Sequence, residues 1–138
     1  MKLGIVVVYL CEEEDEPLLD LHLNRIEAHT GAPFVIYGSV NRLAPRLRER
    51  LRRHAAVRLC ECPETALRGA SEHACYLDCL TRIAVEDGAS HVVSLHLDSF
   101  PIRSGWAEEL SNRLSPSCAF ATLDRISTAC LMFSRDFY

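Results

Sequence analysis

With 138 residues, 15 basic against 19 acidic side chains and a net charge of -4, the chain is the size of one domain. It carries no overall cationic field for a nucleic acid backbone or an anionic membrane. Hydrophobic residues at 49% and charged ones at 25% exclude a disordered or collagen-like chain and predict a single packed core.

Residues 3 to 10, LGIVVVYL, form a continuous β-branched run that suits a strand buried on both faces. After EEEDE and Pro17, the apolar residues Leu18, Leu19, Leu23 and Ile26 recur at helical spacing, with acids at the end where the helix dipole favours them. Gly31 supplies the expected stop. Residues 33 to 37, PFVIY, predict a second strand, Gly38 and Ser39 a turn, and Leu43, Leu47 and Leu51 one face of an arginine-rich helix. A third strand is expected from Val57 to Cys62, ended by Pro63. A long helix follows from about Ser71 to Asp87, with Ala74, Leu77, Leu80 or Thr81, and Ala84 facing inward and Gly88 ending it. The fourth strand covers about 91 to 97. Ser104 then caps a short helix, Trp106 to Leu114, ahead of strand-like runs at 118–123 and 128–134. This alternation predicts an α/β fold, Rossmann-like, with a mostly parallel sheet and helices on both faces, because parallel strands need crossover connections.

The charges are segregated. Residues 12–16 are all acidic, whereas Arg42, Arg46, Arg48, Arg50, Arg52, Arg53 and Arg58 share their segment with one acid, Glu49. A solvated helix face is the plain reading and a phosphate-binding patch the sharper one. The seven cysteines, an odd number scattered through an α/β pattern, fit reduced thiols. No run of about 18 apolar residues is present to span a bilayer and no signal-peptide layout opens the chain, so a cytoplasmic protein is expected.

Within residues 92–102, VVSLHLDSFPI, an apolar strand stops at His96 and Asp98. Side chains alternate along a strand, so both are expected to face the same ligand or the same solvent. In open parallel sheets the ligand crevice lies at the carboxyl ends of the strands, where an imidazole and a carboxylate together suit a divalent cation. A metal there would offset the charge of a bound diphosphate.

Residues 95–110, LHLDSFPIRSGWAEEL, resemble the segment of GT-A glycosyltransferases in which a strand ends in Asp-x-Asp, followed by a Phe-Pro loop and a Gly-Trp opening a short helix. Asp98 matches the second Asp, Phe100 and Pro101 the loop, and Gly105 with Trp106 the helix start. The upstream SEHACYLDCLTRIAVEDGASHVVSL is similar to the helix and strand leading into that motif in family 2 type enzymes, and ATLDRISTACLMFSRDFY to the segment after it. The chief departure is His96 in place of the first Asp. The resemblance implies one GT-A-like nucleotide-sugar-binding domain over residues 1–138, truncated on the acceptor side that in the family carries the catalytic base. It implies a nucleoside diphosphate sugar as donor and transfer to an acceptor hydroxyl, with Mn²⁺ or Mg²⁺ held at Asp98 and His96. The donor-binding residues implied are Tyr9, Cys11, Gly38, Ser39, His96 and Asp98, Tyr9 being open between base platform and core aromatic. Asp124 and Asp136 are the acids available as a base, each also at home in a loop or helix cap.

Other chemistries fit less well. Cys60 and Cys62 with His73, Cys75 and Cys79 give zinc-type ligands, but C-x-C lacks the tight knuckle of C-x2-C. Cys11 stands near the expected crevice, where neighbouring carboxylates disfavour a thiolate. YLCEEEDE replaces any G-x-G-x-x-G, and no G-x4-G-K-[ST] occurs. The alternative from a different class is a noncatalytic α/β domain that docks a partner chain or a second copy through the arginine helix or a sheet edge.

Overall fold

The computed structural model describes residues 1–122 and 129–138. Four helices and six strands follow in the order β1 (Leu3–Val7), α1 (Glu16–His29), β2 (Phe34–Ser39), α2 (Pro45–Arg52), β3 (Val57–Cys60), α3 (Ala70–Glu86), β4 (His91–Leu95), α4 (Trp106–Ser111), β5 (Phe120–Thr122) and β6 (Cys130–Ser134). They build one sheet in the order β3-β2-β1-β4-β6-β5. Strands β1 to β4 are parallel, with Ile5 opposite Ile36 on one side and Val93 on the other. β6 runs antiparallel to β4, and β5 antiparallel to β6. The α/β class and the mostly parallel sheet are therefore as expected.

Because β1 is central and covered on both faces, its side chains divide between two cores. Ile5 and Val7 join Leu19, Leu23 and Ile26 of α1, Leu47 and Leu51 of α2 and Leu110 of α4. Val6 and Val8 join Tyr76, Leu80 and Ala84 of α3. One sheet face thus carries α1, α2 and α4, and the other α3. Burial on this scale stabilises each large aliphatic side chain by about 1.5–3 kcal/mol relative to exposure.

Several local expectations are corrected. α1 leaves through an extended Thr30, whose N–H bonds the Ile26 carbonyl, so Gly31 is not a left-handed cap. Gly38 and Ser39 belong to β2, and the chain turns at Asn41–Arg42, where Arg42 adopts φ 56°. The buried face of α3 is Glu72, Tyr76, Leu80, Thr81 and Ala84, while Ala74 is exposed. Gly105, at φ 80°, precedes α4, and no side-chain hydrogen bond caps that helix, so Ser104 is not its cap. β4 stops at Leu95, short of His96 and Asp98.

The charge segregation also acquires a cause. Arg46 and Arg50 of α2 lie against Glu16, and Arg50 also against Asp20 of α1. Arg48 meets Glu61, Arg52 and Arg53 meet Glu49, Arg58 meets Asp87, and Arg42 reaches Glu72 at 2.7 Å. Exposed pairs contribute only about 0–1 kcal/mol each. Their consequence is electrostatic: all seven arginines of this segment face carboxylates.

Candidate functional site at the carboxyl ends of β1 and β4

The strand order reverses between β1 and β4, since β2 and β3 lie to one side and β4 to the other. Chains leaving two neighbouring parallel strands toward opposite sides open a crevice between them, which is where ligands bind in doubly wound sheets. Residues 8–12 leave β1 there, and residues 96–99 leave β4.

On the β1 side the expected donor-binding residues come together, but as core. Tyr9 is wholly buried, and its N–H donates to the buried Ser39 hydroxyl at 3.1 Å. Gly38 lies so close beneath the ring that a Cβ built on it falls 2.6 Å from Tyr9 Cε2. Tyr9 is thus a core aromatic, and its ring presents no face to solvent. Cys11 is buried as well, and its carbonyl accepts the Ala44 N–H at 3.0 Å. Burial, then the Asp15 and Glu12 carboxylates, push its thiol up to about 12, which leaves no thiolate near neutrality. The exposed groups at this mouth are Leu10, 38% accessible, and Glu12.

On the β4 side the backbone turns at once, with the Ser99 N–H donating to the His96 carbonyl at 3.0 Å. Strand alternation therefore ends before His96, and the two polar side chains meet different neighbours. His96 packs edge-on against His73 of α3, ring centroids 4.9 Å apart. Asp98 is exposed and lines a cavity of about 480 Å³ between the residues after β4, α4 and the sheet's antiparallel strands. Among the described residues no three His, Cys, Asp or Glu side chains are placed to hold a metal ion, the cysteines of β3 and α3 included.

Beneath this turn lies a histidine that is not among the candidate site residues. His22 of α1 is fully buried, and neither ring nitrogen reaches hydrogen-bond geometry. The backbone at Leu97 and Ser99 and the Asp98 carboxylate are near enough to favour its protonation, yet burial outweighs them and pushes its pKa down to about 4. Its position is legible in hindsight: Leu19, His22, Leu23 and Ile26 are one helical stripe, so an imidazole at the second place must enter the core.

A second cavity, of about 600 Å³, lies at the opposite end of β4 and is lined by His91, Arg135 and Asp136 among others. Asp136 is therefore remote from Asp98 and is not its base. Asp124, the other acid considered for that role, lies outside the described residues, as do parts of the strand-like runs predicted at 118–123 and 128–134.

The crevice, the exposed Asp98 carboxylate and the adjoining cavity define the site. No family model and no curated protein sequence matches this chain. Among the described residues, no helix is long and apolar enough to cross a membrane.

Proposed function

We propose that this domain is a glycosyltransferase, or the donor-binding half of one. It would hold a nucleoside diphosphate sugar at the carboxyl ends of β1 and β4 and pass the sugar to an acceptor hydroxyl. The observation that carries this reading is the position of Asp98: exposed, just beyond β4 at the switch point, and on the wall of a ligand-sized cavity. The order of elements behind it, a Phe100-Pro101 loop and then Gly105 opening the helix at Trp106, follows the GT-A resemblance.

A single carboxylate is a sufficient protein share for Mg²⁺ or Mn²⁺ when substrate phosphates and waters supply the other oxygens. Asp98 fits that role by its exposure. His96, held against His73, is assigned to the ribose side of the ligand instead. A bound cation supplies positive charge to the departing diphosphate. The protein's own part is orientation, with the turn at 96–99 closed by the Ser99-to-His96 hydrogen bond and lying over the buried His22. In the transfer, the acceptor oxygen bonds the anomeric carbon as the bond to the diphosphate oxygen breaks. The electron pair stays with the diphosphate, and the hydroxyl proton passes to solvent or to that leaving group.

Calorimetric titration with uridine, guanosine, adenosine and cytidine diphosphates, each with Mn²⁺, Mg²⁺ or chelator, tests the donor site. Saturable binding of at least one is expected, and Asp98→Asn weakens it about tenfold or more, the order found when groups around a metal are altered. Binding of none under any metal condition counts against the transferase.

A second reading, a noncatalytic docking domain, is favoured by one observation. The edge strand β5 presents Phe120 at 52% exposure, with Phe137 and Tyr138 also exposed. The arginine helix offers that reading no support, its charges being paired.

A further inference from the structure

We infer that the cavity beside Asp98 takes the acceptor, and that the acceptor is an alcohol carried on an apolar body and not a bare sugar. This rests on the transferase reading and adds the substrate class. Within the described residues, the wall is built mainly from Leu95, Phe100, Pro101, Ile102, Trp106 and Leu110. Among the described residues its polar side chains are Asp98, which is exposed, Ser99, Thr122, and Arg103 and Glu109, which pair with one another.

The hydrogen bonds already made by the described residues of this wall favour one ligand class. A sugar brings a hydroxyl on nearly every carbon, and each one buried without a partner costs about 1–3 kcal/mol. Trp106 has no donor to spare, because its indole N–H is given to Thr30 Oγ1 at 3.2 Å. The Ser99 hydroxyl lies toward Asp98 at 3.5 Å. An alkyl or aromatic body, by contrast, gains from every apolar wall it meets. A hydroxyl at one end then lies toward Asp98, where the donor's diphosphate is anchored.

Ile102 adds an independent sign. It is 77% exposed, the highest value among the exposed large hydrophobic residues, and it stands on this wall. An aliphatic side chain held in water beside an apolar cavity extends the surface that an apolar ligand covers. The volume of about 480 Å³ lies in the range of small-molecule sites.

Trp106 is the single tryptophan of the chain, so its emission reports this cavity directly. The probes are octan-1-ol, octyl glucoside below its micelle concentration, and glucose. Octanol and octyl glucoside are expected to shift the emission saturably, and glucose to leave it unchanged. Ile102→Asp, at a site too exposed to endanger folding, should weaken octanol binding roughly fivefold by placing a carboxylate against the apolar ligand. Asp98→Asn should weaken the nucleoside diphosphate about tenfold, while octanol, held mainly by the apolar walls, still saturates. Glucose saturating as well as octanol, or no probe saturating, overturns the inference. Octanol binding in a protein that binds no diphosphate removes the transferase reading and the acceptor role with it, leaving only the cavity's apolar preference.

Discussion

Gly38→Ala is expected to destabilise the domain by about 2–3 kcal/mol, within the range for overpacked cores. Ordinarily a Gly to Ala change within a strand is favourable, because glycine loses more backbone freedom on folding. Here the added methyl would lie 2.6 and 2.7 Å from two ring carbons of Tyr9 and 3.3 Å from Leu59 Cδ2. Leu59 is only half-buried, so the cost falls chiefly on the wholly buried Tyr9 ring. β2 is held between β1 and β3, and the buried Tyr9 ring has the His22 ring 6.0 Å away. Denaturant unfolding measures the loss, and adding Tyr9→Leu to Gly38→Ala should recover part of it by emptying the space the methyl needs. A neutral or stabilising Gly38→Ala would show that the β1–β2 packing under the site is looser than described.

Acid is expected to destabilise the domain through His22. Its pKa falls from 6.5 to about 4 on folding, so between those values the unfolded chain binds the extra proton and the folded one does not. Stability is then fully present above pH 6.5 and declines as pH falls toward 4. A shift of this size corresponds to a loss on the order of 3 kcal/mol. His22→Phe keeps a ring in the stripe and cannot titrate, so its stability should vary less across that window than the parent's. Equal pH slopes for the two proteins would show that His22 is not the group responsible. The same experiment bears on the site, because the imidazole underlies the turn that presents Asp98.

These two residues also show where sequence was informative. The parallel core was legible because LGIVVVYL and the run into Leu95 are continuous apolar stretches that only a strand covered on both faces can bury. The end of β4 was not, because alternation extends through His96 and Asp98 unless something breaks the strand, and no glycine or proline lies between Leu95 and Pro101. The break is the Ser99-to-His96 hydrogen bond, made by ordinary residues. It sends the imidazole to His73 and leaves Asp98 at the cavity, so a pair that looked convergent serves two surroundings.

Long-range complementarity was illegible for a different reason. Nothing local links Gly38 to Tyr9, although 29 positions on from Tyr9 the missing Cβ is what admits the ring. Glu72 was left out of the inner face of α3 because it is charged, yet Arg42 meets it from the loop after β2 and allows it to be buried. Strand direction in the last two runs was equally unreadable, since short strands of three or five residues look the same in either orientation. Asp98 stood out from sequence through its motif, whereas the cavity beside it exists only once α4 and β6 pack together.

The most direct test of a nucleotide site at the β1–β4 switch point is amide-resolved NMR of the 138-residue chain, titrated with whichever nucleoside diphosphate binds in calorimetry. Shifts concentrated at Leu10 to Glu12 and His96 to Ser99 are the predicted result. Shifts confined to the opposite end, around His91 and Arg135, would contradict it.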